Sequence, residues 1–79
     1  VSYDETFIKF SNETSGPVDI FWIDFGGQAQ KYLTLDAGKS YVQQTNVGHS
    51  WLVTGTDHKP IVKYTAESGP KPLPVVIKG

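Results

Sequence analysis

An all-β fold, a two-sheet antiparallel β-sandwich of about seven strands, is what this 79-residue chain predicts. Short runs of β-branched and aromatic residues recur about every 8 to 12 positions, each closed by Gly, Pro, Asn or Asp. Nowhere do apolar residues keep a helical period for longer than about one turn.

The first run, residues 6–10, mixes aromatic and β-branched side chains and stops at Ser11-Asn12-Glu13-Thr14-Ser15-Gly16-Pro17, a dense cluster of turn formers. Asn12-Glu13-Thr14 also has the pattern of a glycosylation acceptor, which matters only in a secreted chain. Residues 18–25 are the most hydrophobic run. Val18, Ile20 and Trp22 fall on one face and Phe21, Ile23 and Phe25 on the other, so both faces are covered or one receives a ligand. Gly26-Gly27 then allows a tight hairpin to an antiparallel neighbour over residues 30–35, which returns Tyr32 alongside Trp22. A turn at residues 36–39 precedes a strand over 40–45.

The next strand follows Gly48, whose backbone reaches conformations closed to other residues. Alternation places His49, Trp51 and Val53 on one face, an imidazole beside an indole, with Ser50, Leu52 and Thr54 on the other. Both His49 and Trp51 are expected to stay partly solvent-accessible. Residues 55–60 form a turn, 61–65 a strand, and 74–78 the last strand. Prolines 70, 72 and 74 remove backbone donors and mark its start as an edge or an irregular crossing.

The length allows one domain over residues 1–79, with a core that must be made from aromatic and β-branched side chains. With no cysteine, disulfides, thiolate metal sites and cysteine nucleophiles are excluded. A net charge of −1, with both signs mixed along the chain, leaves no electrostatic footprint for nucleic acid or an anionic membrane. No apolar run approaches the roughly 20 residues that span a bilayer. The chain reads as soluble, and an extracellular setting is compatible with it. It has no methionine, which points to a processed protein or an excised fragment.

Catalytic chemistry finds no constellation. His49 and Ser50 project to opposite faces of a strand and cannot form a nucleophile–base pair. His58 sits in a polar turn, and no spacing of His49, Asp57 and His58 matches a metal-ligand motif. The carboxylates at Asp19, Asp24 and Asp36 are scattered singly, and no helix follows the glycines at 26 to 38 to make a phosphate loop. A non-enzymatic protein without cofactors is expected.

Phe10 and Asn12, then Trp22-Ile23-Asp24-Phe25 with Gly27, Tyr32 with Thr34-Leu35, Gly38, and Gly48-His49-Ser50-Trp51-Leu52 form a long ordered series. In this series the sequence resembles the von Hippel-Lindau β-domain family, without a gap from Trp22 to Leu52. Beyond Leu52 only the hydrophobic pattern is similar. The resemblance implies a seven-stranded sandwich that binds hydroxyproline within an extended peptide. Trp51 would floor the pocket, Trp22 would wall it, His49 and Thr45 would bond the ligand hydroxyl, and Tyr32 would hold the peptide backbone. The family has a serine where Thr45 stands, a histidine where Gln44 stands and a basic residue where Val47 stands. The helical domain that recruits a ubiquitin-ligase adaptor in that family is not within these residues, so ligase function is not carried over.

The sequence therefore predicts a non-catalytic binding module for a hydroxylated ligand, with Trp22, Tyr32, Gln44, Thr45, His49 and Trp51 as its site. Hydroxyproline in a peptide or protein, such as a collagen-like or cell-wall chain, is the first expectation. A glycan is the alternative, since Trp22, Tyr32 and Trp51 suit sugar faces and Thr45, His49, Asp24 and Gln44 suit hydroxyls. A third reading is structural, with the aromatics forming an interface inside a larger protein.

Overall fold

The computed structural model describes residues 4–69 and 72–78. Seven strands and no helix occur among them: β1 (Glu5–Asn12), β2 (Val18–Ile23), β3 (Ala29–Leu35), β4 (Ser40–Asn46), β5 (Ser50–Gly55), β6 (Pro60–Thr65) and β7 (Leu73–Ile77). They form a three-stranded sheet, β4-β1-β7, and a four-stranded sheet, β3-β2-β5-β6. The predicted sandwich is present, with one departure: β7 runs parallel to β1, while every other pairing is antiparallel. As expected from its prolines, β7 is an edge strand. Residues 70 and 71, which include one of those prolines, lie outside the described residues.

Alternation decides what is buried. Ile8 and Phe10 from β1, and Val75 and Ile77 from β7, meet Val18 and Ile20 from β2 and Trp51 and Val53 from β5. Register keeps these side chains in step, since Ile20 faces Val53 and Phe10 faces Val75 across their strand pairs. Full burial of one such side chain is worth about 1.5–3 kcal/mol, so a slip of one residue in any pair would forfeit several of them together.

The long first loop is held by Asn12, which is 1% exposed. Its Nδ2 donates to the carbonyls of Gly16 and Leu35, both at 2.9 Å, and its Oδ1 accepts from the N–H and hydroxyl of Thr14 at 2.9 and 2.6 Å. The glycosylation-like triplet is thus a structural tie: its amide is spent inside the protein and joins the β1 end to β3.

Candidate binding site

Two features of the β2–β3 hairpin shape the site. At its tip, Asp24 accepts the N–H groups of Gly26 and Gln28 on Oδ1 and the Gln30 side chain on Oδ2, all at 2.9 Å. Gly27 takes φ +84°, as the Gly-Gly signal requires, and its N–H closes the turn on the Asp24 carbonyl. The Gln30 side chain and then the Gln28 N–H hold the Asp24 carboxyl below its ordinary range. A depressed carboxylate stabilises the fold above its unfolded value, and that contribution disappears as pH falls through the lowered one. We therefore expect the Gly26 and Gln28 amide resonances to move together in acid, with a midpoint below that of an unstructured aspartate. Amide shifts that stay flat through this range would refute the arrangement.

The second feature is a bulge. Ile20 faces Leu33 but Phe21 faces Lys31, so Tyr32 is an extra residue on β3. Lys31 then turns to the outer face, where its ammonium lies 3.5 Å from Asp19, while Tyr32 and Leu33 both turn toward the sandwich. Tyr32 does not return beside Trp22, whose partner is Gln30. It lies edge-on to Trp51 instead, with ring centroids 5.0 Å apart.

Trp51 departs most from expectation. It is 2% exposed, a core residue between Phe10, 6.0 Å away, and Tyr32. The face carrying Trp51 and Val53 is the inner face of the sheet, and the bulged Tyr32 covers what the edge would have left open. The indole N–H finds an acceptor across the sandwich in Thr45 Oγ1, at 3.0 Å. His49 is half-buried, as expected, on the turn stabilised by Gly48 at φ +94°.

Trp22 lies directly opposite Trp51 on β2 and contacts His49 at 5.6 Å. Phe25 was expected on the face away from Trp22, but the hairpin turn carries its ring back to 5.9 Å from Trp22 and 5.6 Å from His49. It is 87% exposed there. Sequence reasoning leaves Phe25 out of the site because it carries strand alternation on to residue 25, whereas the strand ends at Ile23; the turn signal at Gly26-Gly27 is the available warning.

Five of the six predicted residues are thus linked: Thr45 to Trp51 by a hydrogen bond, Tyr32 to Trp51 and Trp22 to His49 by ring contact, and Trp22 to Trp51 by register. Gln44 is not among them. Its side chain lies on the opposite face of β4 from Thr45 and donates to Glu5. Residues 1–66 match the VHL beta domain family.

The chain belongs to that family. Among curated proteins, none matches it. Within this VHL beta domain Tyr32 lies on β3 and Thr45 on β4, the edge strands of their sheets, while Trp22 and Trp51 lie on the central strands β2 and β5. An open groove of about 370 Å³ lies elsewhere, lined by Ser11, Glu13, Thr14, Lys39 and Ser40 among others. Its hydroxyls already serve Asn12 and each other. No helix among the described residues is long and apolar enough to cross a membrane.

Proposed function

We propose that this VHL beta domain is a non-catalytic recognition module for hydroxyproline in an extended peptide. The observation that carries the reading is the linked set of Thr45, Trp51, Tyr32, Trp22 and His49, with Thr45 on β4, an edge strand among the described residues. An edge strand turns alternate N–H and C=O groups outward, and an extended peptide pairs with them while its side chains alternate between faces. A ring reaching inward at Thr45 meets hydroxyl, imidazole and aromatic walls together. Tyr32, 52% exposed on the other edge, is the wall free to shift and admit it. Gln44, on the outer face of β4, contacts the neighbouring peptide residue. Unmodified proline would bring no hydroxyl to Thr45 or His49, which disfavours it.

The β4 edge favours a peptide over a glycan, because a sugar makes no use of a row of backbone donors and acceptors. The test is a calorimetric titration with two peptides of one sequence, carrying proline or 4-hydroxyproline. We expect the hydroxylated peptide to bind about a hundredfold tighter. His49→Ala should remove most of that margin without unfolding the chain. Equal affinities for the two peptides would refute the reading, and binding of free sugars at the same site would replace it with the glycan one.

A further inference from the structure

Side chains alternate along a strand, so residues an odd number of places apart point to opposite faces. Lys31 and Thr34 break that rule on β3. The Thr34 hydroxyl donates to Asp19 Oδ1 at 2.7 Å, and the Lys31 ammonium lies 3.5 Å from the same oxygen. Both reach one carboxylate because the bulge sets an extra residue between them. On β2 only Ile20 separates Asp19 from Phe21, whereas on β3 both Tyr32 and Leu33 separate their partners Thr34 and Lys31. Those two turn inward, Leu33 against the core and Tyr32 onto Trp51. β3 contains no glycine or proline to favour a bulge by itself. Asp19 is 6% exposed, so its carboxylate depends on these donors in place of water. Its neighbour on β5, Thr54, spends its hydroxyl proton on the Gly55 carbonyl.

We propose that Asp19 is a positioning residue for the binding site on the opposite face of its sheet: by clamping Lys31 and Thr34 it holds the bulge, and the bulge holds Tyr32 over Trp51. This rests on the hydroxyproline reading above, in which Tyr32 is the wall that shifts to admit the ligand. The ring swings about its side-chain bonds, but the backbone that aims it inward is fixed from behind the sheet. Without the clamp β3 pairs with β2 in regular register and the extra residue passes into the hairpin. Tyr32 then faces Phe21 on the outer face, Trp51 is uncovered, and a bound ring loses one wall. A carboxylate that touches no ligand thereby governs how tightly the site holds one.

The 79-residue chain is compared with Asp19→Ala, Tyr32→Ala and the double variant, each titrated with a 4-hydroxyproline peptide, while nuclear Overhauser effects between the Tyr32 and Trp51 rings report the contact. We expect Asp19→Ala to lose the ring contact and to weaken binding about tenfold, as Tyr32→Ala does, with the double variant no weaker than Tyr32→Ala alone. Asp19→Asn, which keeps an acceptor for Thr34, should restore most of the contact. A carboxylate that merely stabilised the sheet would add its loss to that of Tyr32. A ring contact that persists in Asp19→Ala, or additive losses in the double variant, would overturn the assignment while the hydroxyproline reading stands. Should Asp19→Ala fail to fold, Lys31→Met and Thr34→Val, which each release one arm of the clamp, replace it under the same criteria. Equal affinity of the unaltered protein for proline and 4-hydroxyproline peptides would remove the functional reading itself, and this inference with it.

Discussion

Replacing Trp51 by alanine should cost about 3–5 kcal/mol, the range for deleting a large aromatic side chain from a packed core. The residue is 2% exposed, fills the space between Phe10 and Tyr32, and ties the two sheets through Thr45. At about 0.05–0.15 kcal/mol per residue, a domain of this length has only about 4–12 kcal/mol in total. Trp51→Ala should therefore forfeit from about a quarter to all of that stability. Urea denaturation followed by the fluorescence of Trp22, the remaining tryptophan, measures the change. A loss below about 1 kcal/mol would mean that Trp51 belongs to an open pocket after all. One practical consequence is that Trp51→Ala cannot separate binding from folding, whereas the half-buried His49 can.

The second large effect belongs to Asn12. Asn12→Ala removes two donated and two accepted hydrogen bonds at once and leaves the Leu35 carbonyl without its side-chain donor. A buried polar group stripped of its partner costs about 1–3 kcal/mol, and here several are affected, so a total of about 3 kcal/mol is expected. For a domain of this size each kcal/mol lowers the melting temperature by about 4–8 °C, so the drop should exceed about 10 °C. Asn12→Asp tests the cause. It preserves the shape but turns a carboxylate toward two carbonyl oxygens, and it should be at least as damaging. If it melted within a few degrees of the unaltered protein, the amide tie would be irrelevant. The same geometry predicts that a glycosylating host leaves the folded Asn12 bare.

The strands were legible because their punctuation is chemical. Gly27 and Gly48 take positive φ where the sequence placed turns, and the two-residue period of Ile8-Lys9-Phe10 or Trp51-Leu52-Val53 has one reading once a core exists. The direction of β7 was not legible. Parallel and antiparallel edges bury the same alternate residues, so Leu73, Val75 and Ile77 reveal burial and nothing about polarity. The bulge at Tyr32 was hidden for another reason: no glycine or proline marks it, and it follows from Lys31 reaching Asp19 while Leu33 stays in the core. The shift of one residue turns Tyr32 to the inner face beside Trp51, covering an indole expected to be open. For the site, then, the residue identities were readable and their mutual contacts were not.

The parallel pairing of β1 with β7 bears on how the chain is made. β1 is the central strand of its sheet, yet it is synthesised first and acquires one of its two neighbours last. Until β7 has left the ribosome, one side of β1 is a raw edge and Ile8 and Phe10 lack the cover of Val75 and Ile77. Pairings this distant in sequence close slowly, and an exposed edge invites pairing with other chains in the meantime. Nascent chains ending before residue 73 should be held as aggregation-prone, chaperone-dependent species, and burial of the β1 core face should coincide with the emergence of β7.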